Sequence, residues 1–141
     1  MDMRKPQVVD LNESILRTAE LAQSQIRPNQ IQLGLKLSSK SPRVLANPAE
    51  LAQVLLSLFT NAIDAISSVG SPGTILITSA VVRNHVLVSV FDDAPAKEAD
   101  ASNCVNLSRD FIQEIGGDMW VACSGVCGKT FIIDLPSASL N

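Results

Sequence analysis

Four polar residues stand where their types and spacing could do chemistry. Ser57, Asn61 and Asp64 follow one another at intervals of four and three residues. On a helix that spacing stacks the side chains along one stripe. Asparagine is a mediocre helix former and a good oxygen ligand for a hard cation. The stripe is therefore a candidate ligand face, with a solvated surface as the plain alternative. Asp92 is the fourth residue. It ends an alternating run, Val86, Val88, Val90, and the period of two turns it toward the same side as the valines. A carboxylate on a buried face needs donors, or its burial costs roughly several kcal/mol. The exocyclic amine of a bound base such as adenine is one donor that fits. A backbone N–H or a water is another.

Helices and strands must hold these groups in place. "NPAELAQVLLSLFTNAIDAISS" is the clearest helix, with Asn47 at the N-cap, Pro48 at the first position and Glu50 placed to close a capping box. Leu51, Val54, Leu55, Leu58, Ala62 and Ile66 form its apolar stripe. Gly70–Gly73 ends it. Thr74–Val82 and Val86–Asp92 read as strands joined by a hairpin at Arg83-Asn84-His85. Upstream, Val8–Asp10 is an extended lead-in, and Asn12–Ile26 has helical spacing with Asp10 or Asn12 as cap. Ile31, Leu33, Leu35 and Leu37 alternate as a strand, and Arg43–Ala46 is a short return strand. Downstream, Asn103–Ile115 is a helix closed by Gly116-Gly117. Met119–Ala122 and Lys129–Leu135 make a second hairpin. Strands arriving in pairs predict a mixed or antiparallel sheet with three helices on one face. The expected fold is a two-layer α/β sandwich, α+β in class. It is one domain over residues 1–141, with a lead-in at 1–10 and a tail at 136–141.

The 141 residues are 46% apolar and 18% charged, with a formal net charge of −3. That suits one globular domain. No Lys/Arg cluster is present to attract nucleic acid. The apolar run around Val54–Phe59 is too short to cross a bilayer, and "MDMRKPQ" does not read as a signal peptide. A cytoplasmic domain with reduced thiols is expected. Cys104, Cys123 and Cys127 supply at most three metal ligands, so ordinary thiols are expected rather than zinc. His85, the single histidine, reads as a surface turn residue. Trp120 reads as core or edge packing, and Phe59 as core or as a border of the ligand pocket.

"ELAQVLLSLFTNAIDAI", "VSVFDDAPA", "LSRDFIQEIGGDMWV" and "GKTFIIDLP", in that order, resemble the catalytic, ATP-binding domain of two-component sensor histidine kinases. This is the Bergerat (GHKL) fold, shared with gyrase. The resemblance runs from "VVDLNESI" to "IDLP". It implies Mg²⁺ held at Asn61 and adenine's amine held at Asp92. It places Ser57 where kinases carry Asn and related ATPases carry a glutamate base. It implies Asp64, Ala94, Ala96, Gly128 and Thr130 as further nucleotide positions, with ATP and Mg²⁺ as cofactors.

The chain also departs from that pattern. The family's Asp-x-Gly-x-Gly reads Asp92-Asp93-Ala94-Pro95-Ala96 here, and its Gly-x-Gly-x-Gly falls on Asp100, Ser102 and Cys104. The lid between them is short. Glycines admit positive φ and let backbone amides approach phosphates. Alanine at Ala94 is expected to be strained wherever φ must be positive. Asp100, with Glu98 and Asp93, adds repulsion toward a triphosphate on the order of 1 kcal/mol or more. Lys97 and Arg109 read as the only local positive charges. The expectation is a degenerate domain without a cofactor, a regulatory or docking module. Its partners would be a response-regulator receiver domain or the kinase's dimerisation and phosphotransfer helices. Two alternatives stand beside it: a working ATP-binding catalytic domain with a short lid, and a docking domain of a histidine phosphotransfer protein. No helix carries a histidine, so this chain alone is not expected to phosphorylate itself.

Overall fold

The computed structural model describes residues 5–70, 72–95, 108–123 and 128–138. The chain runs β1 (Gln7–Asp10), α1 (Leu11–Ile26), β2 (Ile31–Lys36), β3 (Arg43–Ala46), α2 (Pro48–Val69), β4 (Gly73–Val82), β5 (His85–Asp92), β6 (Asp118–Cys123) and β7 (Lys129–Pro136). Residues 108–114, between β5 and β6, are helical as well.

Each long helix starts on a side-chain cap. Asp10 accepts the Asn12 N–H at 2.9 Å. The Asn47 carboxamide oxygen accepts those of Ala49 and Glu50 at 3.0 and 3.2 Å. Such caps satisfy donors that the first helical turn leaves without partners. Helix α1 buries Leu11, Ile15, Ala19, Ala22 and Ile26 along one side. Helix α2 buries Leu51, Val54, Leu55, Leu58, Phe59, Ala62, Ile63 and Ile66. Burying one such aliphatic or aromatic side chain contributes about 1.5–3 kcal/mol. Taken whole, α2 is long and apolar enough to cross a membrane by length and composition, which the short run Val54–Phe59 had not suggested. Its apolar stripe is packed into the core, so packing already accounts for that composition. Phe59 is fully buried there, a core residue rather than a pocket border.

The main sheet has the strand order β2-β4-β5-β7-β6. The β2–β4 pair is parallel and the other pairs are antiparallel. Helix α2 is the crossover that a parallel pair requires, and it lies over β4 and β5. The expected return strand does not pair with β2. Instead β3 pairs antiparallel with β1 in a small separate sheet. That arrangement carries Val44 and Ala46 into the core, at 1% and 0% exposure. Left at the edge, β2 realises its alternation only in part, and Leu35 is partly exposed. The β4–β5 hairpin closes with Val82 opposite His85, so the turn is Arg83-Asn84 and His85 opens the strand. After the helical stretch, the Gly116 and Gly117 N–H groups donate to the Gln113 and Ile112 carbonyls at 3.1 and 3.0 Å. This is the expected glycine stop. The inner face of the sheet sets Ile75, Ile77, Val88, Val90, Phe131 and Ile133 against the helices.

Candidate functional site

Alternation along β5 buries Val86, Val88, Val90 and Asp92. The same alternation along β7 buries Lys129, Phe131, Ile133 and Leu135. The antiparallel register then sets Asp92 directly opposite Lys129. Lys129 Nζ donates to Asp92 Oδ2 at 2.5 Å. The Ala94 N–H donates to Oδ1 at 3.2 Å. Asp92 is 1% exposed and Lys129 4%, the only buried acid and the only buried base among the described residues. The ammonium also lies 5.9 Å from the centroid of the Phe131 ring, within range of a cation–π attraction. Burial pushes the Asp92 carboxyl above its ordinary range, and the bonds from Lys129 and Ala94 pull it back only in part. Gly128 makes the approach possible. It has φ +99°, and a Cβ there would stand 2.1 Å from the Asp92 carbonyl oxygen.

The α2 stripe behaves differently. Ser57 and Asp64 are exposed and Asn61 is half-buried. The Asn61 Oδ1 is buried with no hydrogen-bond partner among the described residues. Ser57 borders an open groove of about 460 Å³, together with Glu50, Gln53, Val54, Ser108, Phe111 and Glu114. Neither Asn61 nor Asp92 lines that groove. The three stripe residues thus share a helix side but not one environment. Thr130 alternates to the other face of β7, opposite Phe91.

No protein-family model matches the chain. The sensor histidine kinase ZraS of Escherichia coli K12 is 30% identical over 92% of this chain and 31% of its own length. The chain therefore spans about a third of that curated relative. The nucleotide-free catalytic domain of histidine kinase ThkA superposes with a TM-score of 0.82 at 28% identity, covering 94% of this chain and 96% of that one. The chain is a catalytic-type domain of the sensor histidine kinase family. ThkA has also been solved in complex with the response regulator protein TrrA, where the match has a TM-score of 0.75 at 27% identity over 94% of this chain and 42% of that one.

Within this histidine-kinase frame the two ends of the site fit a magnesium nucleotide unequally. The orphaned Asn61 oxygen suits a hard cation. Asp92 already has one donor on each oxygen, so an adenine amine there would share the carboxylate with Lys129 or displace it. The count of local positive charges had missed Lys129. The parity rule that placed Asp92 inward, applied to β7, would have found it. Arg109 is engaged elsewhere, its Nε donating to Asp118 Oδ1 at 3.1 Å. The Met119 N–H and Arg109 together hold the Asp118 carboxyl below its ordinary range. Asp93 Oδ1 accepts the Thr74 N–H at 3.0 Å, which ties it to β4. Strain at Ala94 was expected only where φ must be positive, and positive φ at non-glycine positions is confined to Gln30 and Arg83 among the described residues. Ala94 does not meet that condition.

Ala96, Lys97, Glu98, Asp100, Ser102, Cys104 and Cys127 lie outside the described residues. Cys123 is a half-buried free thiol, and no cluster of three metal-ligating side chains occurs among the described residues. Exposed His85 pairs through Nδ1 with Asp134 at 2.8 Å. Trp120 is 40% exposed on the edge strand β6.

Proposed function

We propose that this domain serves two-component signalling as a regulatory or docking module whose nucleotide handling is lost or weak. One observation carries the reading: both oxygens of Asp92 are bonded inside the protein. An amine from adenine that takes the Lys129 position at Oδ2 must displace the ammonium. Leaving a buried charge unpaired costs about 3–5 kcal/mol. A neutral hydrogen bond returns only about 0.5–1.5 kcal/mol. The difference is one to three factors of ten in affinity, at about 1.4 kcal/mol each. The partners are a response-regulator receiver domain or the kinase's own dimerisation and phosphotransfer helices, in the cytoplasm. The ThkA–TrrA complex supports the first of these.

Calorimetric titration with ATP and ADP, with and without Mg²⁺, tests the reading. No binding, or binding at millimolar concentration, is expected. Micromolar binding overturns it. A second reading, a working ATP-binding catalytic domain, is favoured by the open acceptor at Asn61. It requires that micromolar result, together with its loss in Asn61→Leu. Pull-down with receiver domains tests the docking role.

A further inference from the structure

We propose that Lys129 is the resident occupant of the Asp92 site, and that this side chain decides whether the domain accepts an aminopurine. The inference rests on the reading that nucleotide handling is lost or weak. It moves the cause from the altered glycine loop to a single residue on β7.

The local backbone does not by itself exclude a ligand. Ala94 needs no positive φ and gives its N–H to Asp92. Gly128 already provides the close contact between the ends of β5 and β7. What fills the corner is the lysine. Its register opposite Asp92 aims a four-carbon stem along the inner face, and its ammonium occupies Oδ2 from within hydrogen-bond distance. A charged donor outcompetes a neutral amine at a carboxylate. Truncating Lys129 removes the competing donor and the bulk together. Oδ2 then stands open to an N–H donor on a flat, apolar ring, while Ala94 still holds Oδ1.

Adenosine is the probe, because it carries no phosphate and so reports on this corner alone. It is titrated at pH 7.5 into the wild-type domain, Lys129→Ala, and Lys129→Ala combined with Asp92→Asn. The single variant is expected to bind adenosine about tenfold more tightly than wild type or better, the scale of one charge-assisted hydrogen bond. Adding Asp92→Asn is expected to erase the gain. Lys129→Met, which keeps the bulk, is expected to show none. A folded Lys129→Ala without gain overturns the inference and leaves the proposed function standing. Micromolar adenosine binding by wild type sinks both. A measurement on wild type alone covers the case in which Lys129→Ala does not fold. Acetylation followed by mass spectrometry is expected to modify Lys129 at least about tenfold more slowly than exposed Lys5, Lys36 and Lys40, since a buried, paired amine opens rarely. Equal rates overturn the inference.

Discussion

Asn61 and Asp92 pose the same physical problem and reach opposite outcomes. Each places side-chain oxygen out of water. The Asn61 oxygen has no partner among the described residues, whereas both Asp92 oxygens have one. An unsatisfied buried acceptor costs about 1–3 kcal/mol. The α2 end of the site therefore still carries the energetic mark of a binding position. On the proposed reading, the β5–β7 end is closed by the chain itself. A site can lose its ligand by acquiring an internal substitute at one end while the other end stays unchanged.

The largest effect expected from breaking this contrast is at the ion pair. Asp92→Ala strands Lys129 in the core and is expected to cost about 3–5 kcal/mol in urea unfolding. Lys129→Ala is expected to cost less. The remaining carboxyl keeps the Ala94 bond, whereas the ammonium stranded by Asp92→Ala loses its carboxylate. Asp92→Leu with Lys129→Met is expected to cost less than Asp92→Ala, or even to stabilise, since apolar replacements of buried pairs are often neutral or better. A double-mutant cycle gives the coupling. A double variant no more stable than Asp92→Ala would refute a coupled pair.

Next in size is Gly128→Ala. It meets both a positive φ and backbone 2.1 Å away. Gly70→Ala meets a positive φ of 76° but nothing within 4 Å. The second substitution is expected to cost about 1–2 kcal/mol for the left-handed backbone. The first is expected to cost clearly more, because β7 must move off β5. Thermal unfolding of the two variants side by side checks the order. Equal shifts would mean that the strands separate without loss and that the Asp92–Lys129 register is not held tightly.

Much of this frame was legible from local pattern. The cap at Asn47 follows from its residue type ahead of Pro48, and the α2 stripe and the inward turn of Asp92 follow from periods of 3.6 and 2.0; the structure has all three. The pairing of β2 and β3 was misread because alternation tells which face a strand buries but not which strand lies beside it. That choice was set by α2, whose crossover places β4 parallel to β2. Lys129 escaped notice for another reason. A lysine at the start of a strand reads as solvated, and only its register opposite a buried acid reveals otherwise. Whether Ala94 would be strained depended on the sign of φ, which sequence does not reveal, and here the backbone does not need positive φ.

Asn61→Leu probes the other side of the comparison with a smaller effect. Removing the orphaned acceptor is expected to leave stability unchanged or to raise it by about 1 kcal/mol, part of what an unmet acceptor costs. Chemical denaturation measures it. A loss above about 2 kcal/mol would mean that Asn61 is bonded in solution, and the contrast with Asp92 would fall.

The smallest expected effect is in the response to acid, where the two shifted carboxyls have opposite slopes. The Asp92 pKa is raised in the folded state from an ordinary value of 3.8, so the native protein holds that proton more tightly than the unfolded chain. Its contribution is fully present below the unfolded pKa and is lost as pH rises through the folded one. The Asp118 pKa is lowered, so its contribution is present above 3.8 and is lost as pH falls through its folded value. Comparing wild type with Asp92→Asn from pH 3 to 7 is therefore expected to show a stability difference that changes only above pH 3.8, whereas Asp118→Asn diverges from wild type only toward lower pH. If Asp92→Asn and wild type ran parallel across the whole range, the carboxyl would titrate as it does in water. The bonds from Lys129 and Ala94 would then offset the burial of the carboxyl in full rather than in part.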